Sequence, residues 1–224
     1  MKVLVCDKTE KECIEQMRAA GLTVDTNFEI TPEDLMTVLP AYDVAVVRSR
    51  TKIRQPLIDV CPNLKLIVRG GVGLDTIDVE YARGKGITVK NTPLASSDSV
   101  AELAIGYMFM LARSLYKASA TMKAEKWEKK AFEGDEIGGK TLGLIGVGNI
   151  GKAVIKRAVA LGMTVVAYDP YVKEVAGATL VSLDELLAQA DYISLHLPKT
   201  KESANMVGAE QFAKMKTGVR IINC

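Results

Sequence analysis

Two groups of residues stand at spacings that chemistry can use. The first is Gly146-Val147-Gly148-Asn149-Ile150-Gly151, a GxGxxG that follows the β-rich run Thr141–Ile145 and opens a helical stretch. In that context each glycine answers a separate need. Gly146 permits a tight turn, Gly148 lets a diphosphate approach the backbone, and Gly151 lets the helix pack on the strand. The amides of Asn149 and Ile150 then sit at a helix N-terminus, where partial positive charge favours phosphate. The next strand ends in Tyr168-Asp169, and Asp169 lies 18 residues beyond Gly151. An acid there accepts hydrogen bonds from ribose hydroxyls and repels a 2′-phosphate, and no Arg directly follows it. The pattern therefore reads as an NAD site in preference to NADP. A glycine-rich turn that binds nothing would not need strand, helix and acid in register.

The second group is basic. The run Asp43–Val47 is followed by Arg48-Ser49-Arg50, and Leu64–Val68 by Arg69-Gly70-Gly71-Val72-Gly73. In open parallel sheets ligands sit beyond the carboxyl ends of strands, which puts these arginines on a binding edge. Arg suits bidentate capture of carboxylate or phosphate, and the glycines after Arg69 are able to turn amides toward an anion. The expectation is a small anionic substrate between two domains. Surface arginines that merely trim strand ends would read the same way, Arg48 most of all.

The elements that must position these groups come in two alternating series. The first has strands at Lys2–Cys6, Leu22–Thr26, Asp43–Val47, Leu64–Val68 and Ile87–Lys90, with helices between. Such alternation argues for a parallel sheet with crossover helices. One helix has a clear start, with Thr31 as N-cap, Pro32 at the first position, then Glu33 and Asp34. Asn91-Thr92-Pro93 breaks the pattern. Ser99 and Glu102 then read as a capping box opening a long helix through about Lys117. Its body, Leu103–Ala112, is apolar nearly all round, as in a helix buried in a core or against a second subunit. The second series has strands at Thr141–Val147, Thr164–Asp169, Asp191–Leu197 and Val219–Asn223.

Composition bounds the rest. The 224 residues are 48% hydrophobic and 25% charged, with a net charge of +2. These are globular values that make no electrostatic case for nucleic acid or an anionic membrane. No run is long enough to span a bilayer. Four cysteines without CxxC spacing and one histidine, His196, give no metal-ligand pattern, so no metal is expected. The cysteines read as small core residues of a cytoplasmic protein.

Along its whole length the chain resembles the D-isomer-specific 2-hydroxyacid dehydrogenases. The matching pieces are Arg48-Ser49-Arg50-Thr51, Arg69 through Asp78, Asn91-Thr92-Pro93, Ser99 through Leu103, Gly138 through Gly143, the GxGxxG, Ser194 through Pro198 and Gly218 through Cys224. The resemblance implies an α/β protein of two doubly wound parallel-sheet domains. A flavodoxin-like substrate domain would span residues 1–92. A Rossmann NAD-binding domain would span 93–224, incomplete because four strands are visible where six are usual.

The resemblance also implies hydride transfer between NAD and C2 of a 2-hydroxy acid, and a homodimer formed through the NAD domain, including the long helix. It places Val72 near the nicotinamide and gives the substrate carboxylate to the Gly71–Gly73 amides. His196, Leu197 and Pro198 line the adenosine side, and Asn223 and Cys224 approach the cofactor. The family's catalytic Arg, Glu and His fall beyond the point matching Cys224. This stretch is thus expected to be part of a longer protein, inactive alone and without catalytic residues of its own. His196 ends a strand on the adenosine side and is not expected to be the general base. An arginine-rich rim suits 3-phosphoglycerate. Glyoxylate or hydroxypyruvate reduction, or NAD-responsive binding without turnover as in corepressors of the same fold, are the alternatives.

Overall fold

The computed structural model describes residues 1–198, 200 and 202–224. The chain divides into two compact units, Met1–Ala95 and Ser96–Cys224. The division falls three residues after the expected 92/93. The Thr92 amide donates to the Gly71 carbonyl at 3.1 Å and so keeps the turn after Asn91 with the first unit.

The first unit alternates strands and helices: β1 (Lys2–Val5), α1 (Lys11–Ala19), β2 (Thr23–Thr26), α2 (Pro32–Val38), β3 (Val44–Val47), α3 (Gln55–Asp59), β4 (Leu66–Arg69), α4 (Val79–Gly84) and β5 (Thr88–Asn91). The strands form one parallel sheet in the order β2-β1-β3-β4-β5, the flavodoxin-like order. The central strands β1 and β3 bury both faces, as crossover helices on both sides require, whereas the edge strands β2 and β5 each bury a single residue. Leu4, Ala45, Ile67 and Val89 pack with Leu35 and Leu57 on one side. Val3, Val5, Val24 and Val44 pack with Ile14 on the other. Thr31 caps α2 as its sequence implies, its hydroxyl accepting the Asp34 amide at 3.1 Å.

The second unit comprises α5 (Ser97–Arg113), α6 (Leu115–Lys123), β6 (Thr141–Ile145), α7 (Asn149–Ala160), β7 (Thr164–Tyr168), β8 (Thr179–Leu180), α8 (Leu183–Gln189), β9 (Tyr192–Leu195), α9 (Ala209–Lys214) and β10 (Arg220–Asn223). Its parallel sheet runs β10-β9-β6-β7-β8. The sheet has five strands rather than four. The extra strand, β8, is two residues paired with Val166 and Ala167, too short to carry a periodicity.

Two helix expectations are corrected. Ser99 does not cap: it lies in the first turn of α5, and its hydroxyl donates to the Ser96 carbonyl at 3.0 Å. Glu102 turns instead to Arg157 of α7 at 3.0 Å. The long helix also stops at Arg113, where Ser114 adopts φ 51° and the left-handed conformation separates α5 from α6. Helix α5 buries Ala101, Ala104, Ile105, Met108 and Ala112 in the unit's core. Its opposite face leaves Leu103, Tyr107, Met110 and Leu111 exposed, at the i, i+4, i+7, i+8 spacing of one stripe.

Candidate functional site

The second sheet reverses direction at β6. From it β7 and β8 proceed one way, β9 and β10 the other, and ligands of open α/β sheets occupy the crevice at such a switch point. The glycine loop leaves β6 there. Gly146 adopts φ 96°, and a side chain on it would strike the His196 carbonyl and come within 2.9 Å of Leu197. A Cβ on Gly151 would strike the Gly146 carbonyl. Gly148 differs, since nothing lies within 4 Å of where its Cβ would be. Gly146 and Gly151 are therefore demanded by the fold, whereas Gly148 leaves open space directly before α7. No side chain caps α7, so the amides of Asn149, Ile150 and Gly151 lack intrahelical acceptors and face that space. Open space, unpaired amides and a helix dipole fit a diphosphate.

Asp169 follows β7 and is half-buried. Its Oδ2 accepts the Val147 amide at 2.8 Å and its Oδ1 the Tyr171 amide at 2.9 Å. Each oxygen keeps a further lone pair for a ribose hydroxyl. The Tyr168 carbonyl accepts the Gly146 amide at 2.9 Å, closing the loop from the other end of the same dipeptide.

His196, Leu197 and Pro198 follow β9 on the same sheet edge, and the His196 amide donates to the Ile145 carbonyl at 2.8 Å. The His196 ring meets the Ser194 hydroxyl at 2.8 Å through Nε2. Burial pushes its pKa down to about 4, so the imidazole is neutral near pH 7. Asn223 ends β10 opposite Leu195, and both Asn223 and Cys224 are exposed.

The basic residues of the first unit are placed differently from one another. Arg48, Ser49 and Arg50 are exposed. The Arg48 guanidinium donates to the Lys8 carbonyl at 3.2 Å. Arg50 is engaged at every nitrogen: Nε to Asp7 at 3.1 Å, Nη1 to the Ile30 carbonyl at 3.1 Å, and Nη2 to the Cys6 carbonyl at 2.7 Å. Arg69 is turned onto its own loop, its side chain only 12% exposed, with Nη1 on the Gly73 carbonyl and Nη2 3.8 Å from Asp75. Of the three amides expected to face an anion, the Gly71 amide is taken by the Arg69 carbonyl at 2.9 Å. Val72 and Gly73 remain exposed. Asn91 steadies the loop by donating from Nδ2 to the Val72 carbonyl at 2.5 Å.

One residue of this edge escapes the sequence reading, namely Asp7. It is 4% exposed and holds the turn after β3. Its only sequence signal is an acid directly after an apolar strand. A separate pocket of about 590 Å³ opens beside α2, floored by Ile30, Leu35 and Leu57 and rimmed by Arg50, Lys52 and Arg54. Among the described residues no cluster of His, Cys, Asp and Glu is arranged to hold a metal, and no helix is long and apolar enough to cross a membrane. Cys6 and Cys61 are buried as expected, their thiols pushed up to about 12 and about 11 by burial. Cys13 and Cys224 are exposed, against the expectation that all four are core residues.

A doubly wound sheet with an open glycine loop and an acid after the next strand defines a nicotinamide-dinucleotide-binding α/β protein. Residues 105–224 match the D-isomer specific 2-hydroxyacid dehydrogenase NAD binding domain, and the chain belongs to that family. It is 47% identical over 223 residues to a hydroxypyruvate reductase of Thermotoga maritima, covering 99% of this chain and 73% of that protein. It is 44% identical over 227 residues to a D-3-phosphoglycerate dehydrogenase of Archaeoglobus fulgidus, covering all of this chain and 43% of that one. The chain thus spans less than half the length of the phosphoglycerate dehydrogenase it matches. Among solved structures, the TT0316 protein of Thermus thermophilus superposes with a TM-score of 0.91 at 31% identity, covering all of this chain and 73% of that one. An acyclic imino acid reductase in complex with NADPH and D-Arg superposes with a TM-score of 0.91 at 28% identity, covering all of this chain and 74% of that one.

Proposed function

We propose that the natural protein carrying this chain transfers hydride between NAD and C2 of a small anionic D-2-hydroxy acid, with 3-phosphoglycerate as its substrate. The observation that carries the reading is the cradle at Gly148, open in front of α7 while Gly146 and Gly151 are locked by packing. When bound there, NAD supplies the hydride acceptor. The amides of Asn149 and Ile150 hold its diphosphate, Asp169 its ribose hydroxyls, and His196, Leu197 and Pro198 flank the adenosine. Asp169 favours NAD over NADP, since a 2′-phosphate would meet a carboxylate already fixed by two amides. The acid is met by Arg48, Ser49 and the exposed Val72 and Gly73. Arg50 and Arg69 shape the loops that present them. The exposed stripe Leu103, Tyr107, Met110 and Leu111 pairs two copies.

Hydroxypyruvate is the second reading, favoured by the 47% identity to the Thermotoga maritima reductase. The full natural chain settles the choice. The first reading requires NADH to appear from NAD and 3-phosphoglycerate with a higher kcat/KM than NADH consumption shows with hydroxypyruvate. The reverse ranking selects the reductase. Calorimetric NAD binding without turnover of either acid overturns both and leaves a nucleotide-responsive binding protein.

A further inference from the structure

The first sheet has a switch point of its own. From β1 the chain proceeds to β2 on one side, while β3, β4 and β5 continue on the other, so the direction reverses between β1 and β3. Connections leaving two such strands diverge and open a crevice at their carboxyl ends. Asp7 follows β1, and Arg48-Ser49-Arg50-Thr51 follows β3. The two segments meet on the Asp7 carboxylate. Oδ2 accepts the Arg48 amide at 2.5 Å and the Thr51 amide at 3.2 Å. Oδ1 accepts the Thr51 hydroxyl at 2.8 Å and Arg50 Nε at 3.1 Å. Three of the four residues in the turn give a donor to Asp7. Ser49 gives none, is exposed, and among the described residues its amide and hydroxyl have no hydrogen-bond partner.

We propose that Asp7 is a positioning residue, gathering Arg48, Arg50 and Thr51 onto one buried carboxylate so that the Ser49 amide and hydroxyl, with the Arg48 side chain, meet the anionic group of the substrate. The proposal rests on the functional reading above and assigns Arg50 to the lock rather than to the ligand. The chemistry of the node explains why an acid stands there. Four donors converge on Asp7, and a carboxylate offers about four acceptor sites on two oxygens. An amide in its place offers one oxygen and turns an NH₂ toward backbone donors, leaving buried N–H groups unpaired. A longer Glu would have to fit beside Cys6, which is 0% exposed. Arg50 matches the site because its planar fork reaches Asp7 and two carbonyls together, which a lysine ammonium on a single point cannot do.

The test is steady-state kinetics of the full natural chain for the parent, Asp7→Asn, Arg50→Lys and the double variant, with acid and NAD varied separately. Asp7→Asn is expected to raise the KM for the acid at least tenfold, to leave the KM for NAD within twofold and to lower kcat by less than it raises the acid KM. Arg50→Lys falls between parent and Asp7→Asn, and the double variant is no worse than Asp7→Asn because both act through one node. A merely structural role would lower the active fraction, and so kcat, with both KM values kept. That pattern, or an unchanged acid KM in Asp7→Asn, overturns the proposal. Should Asp7→Asn fail to fold, Arg50→Lys decides alone: a raised acid KM supports the lock, and an unchanged one removes it. A parent that turns over no 2-hydroxy or 2-oxo acid overturns the functional reading at the wild-type control, and this proposal with it.

Discussion

Asp169 Oδ2 accepts the Val147 amide at 2.8 Å, tying the end of β7 to the second residue of the glycine loop. The acid expected to read the ribose therefore also holds the loop proposed to receive the diphosphate. Asp169→Ala removes both roles at once. A hydrogen bond to a charged group contributes roughly 1.5–3 kcal/mol, so NAD affinity should fall about tenfold to a hundredfold. NADP should lose less, because the carboxylate no longer repels its 2′-phosphate. Calorimetry with both nucleotides checks this, and an unchanged NAD affinity would show that the ribose lies elsewhere.

The glycines of the loop separate folding from binding. A Cβ on Gly151 meets the Gly146 carbonyl, which belongs to backbone and cannot swing aside. Gly151→Ala is expected to cost about 1–3 kcal/mol of stability and to weaken NAD binding as a consequence. A Cβ on Gly148 meets nothing within 4 Å. Gly148→Ala should melt within a degree or two of the parent yet bind NAD far more weakly, because the methyl group occupies the diphosphate's approach. Thermal melts paired with NAD titration distinguish the two, and equal loss of stability in both variants would refute the assignment.

The fold was legible because its signals are local and repeated. Thr31-Pro32 announces α2, and the β-branched runs announce most of the strands with small shifts at their ends. The glycine loop was equally legible, since its spacing encodes a turn, a cradle and a close helix approach in six residues. What escaped was long-range. Asp7 lies 41 residues from the Arg48 amide it accepts, and no periodicity reports such a contact. The guanidinium directions of Arg50 and Arg69 escaped for the same reason: sequence places an arginine at a strand end but does not say whether its fork turns outward or back onto nearby carbonyls. Ser99-x-x-Glu102 had the letters of a capping box, but the helix begins at Ser97 and Arg157 on α7 draws Glu102 away.

Helix α5 carries apolar side chains on two opposite faces, of which the unit's core covers one. Leu103, Tyr107, Met110 and Leu111 lie on the other and are each 37–46% exposed. The double variant Leu103→Glu, Met110→Glu places like charges on both sides of a symmetric pairing without touching the buried face. Light scattering is expected to read a dimer for the parent and a monomer for the variant, with unchanged far-UV circular dichroism. A parent that is monomeric at micromolar concentration refutes the pairing.

His196 is the chain's only histidine, and its environment argues against proton transfer near neutrality. Burial lowers its pKa to about 4, against about 6.5 in an unfolded chain. Imidazole resonances followed by NMR should stay those of the neutral ring from pH 8 to about pH 5. His196→Gln should leave the pH profile of kcat in the full natural chain unchanged in shape, while NAD binding shifts modestly. A profile that loses its limb in this variant would make His196 the titrating group after all.

Asp7 gives the acid limb of stability a specific signature. Burial acts to raise its carboxyl, but the Arg48 amide, the Thr51 hydroxyl and amide, and the charge of Arg50 together outweigh burial and hold it below the ordinary range. A carboxyl lower in the folded state than its unfolded value of about 3.9 contributes stability that is fully present above that value. The contribution is lost as pH falls through the folded value, because protonation then favours the unfolded chain. His196 acts earlier on the same descent: the unfolded ring takes its proton from about pH 6.5 downward while the folded ring resists until about 4. Melting temperatures from pH 7 to pH 3 should therefore fall in two stages in the parent. Asp7→Asn should begin lower at pH 7, keep the first stage, and draw toward the parent only below about pH 4, where the unfolded parent begins to take up the proton that its folded state resists. Curves that stay parallel down to pH 3 would mean that the Asp7 carboxylate is not the charged centre of the node.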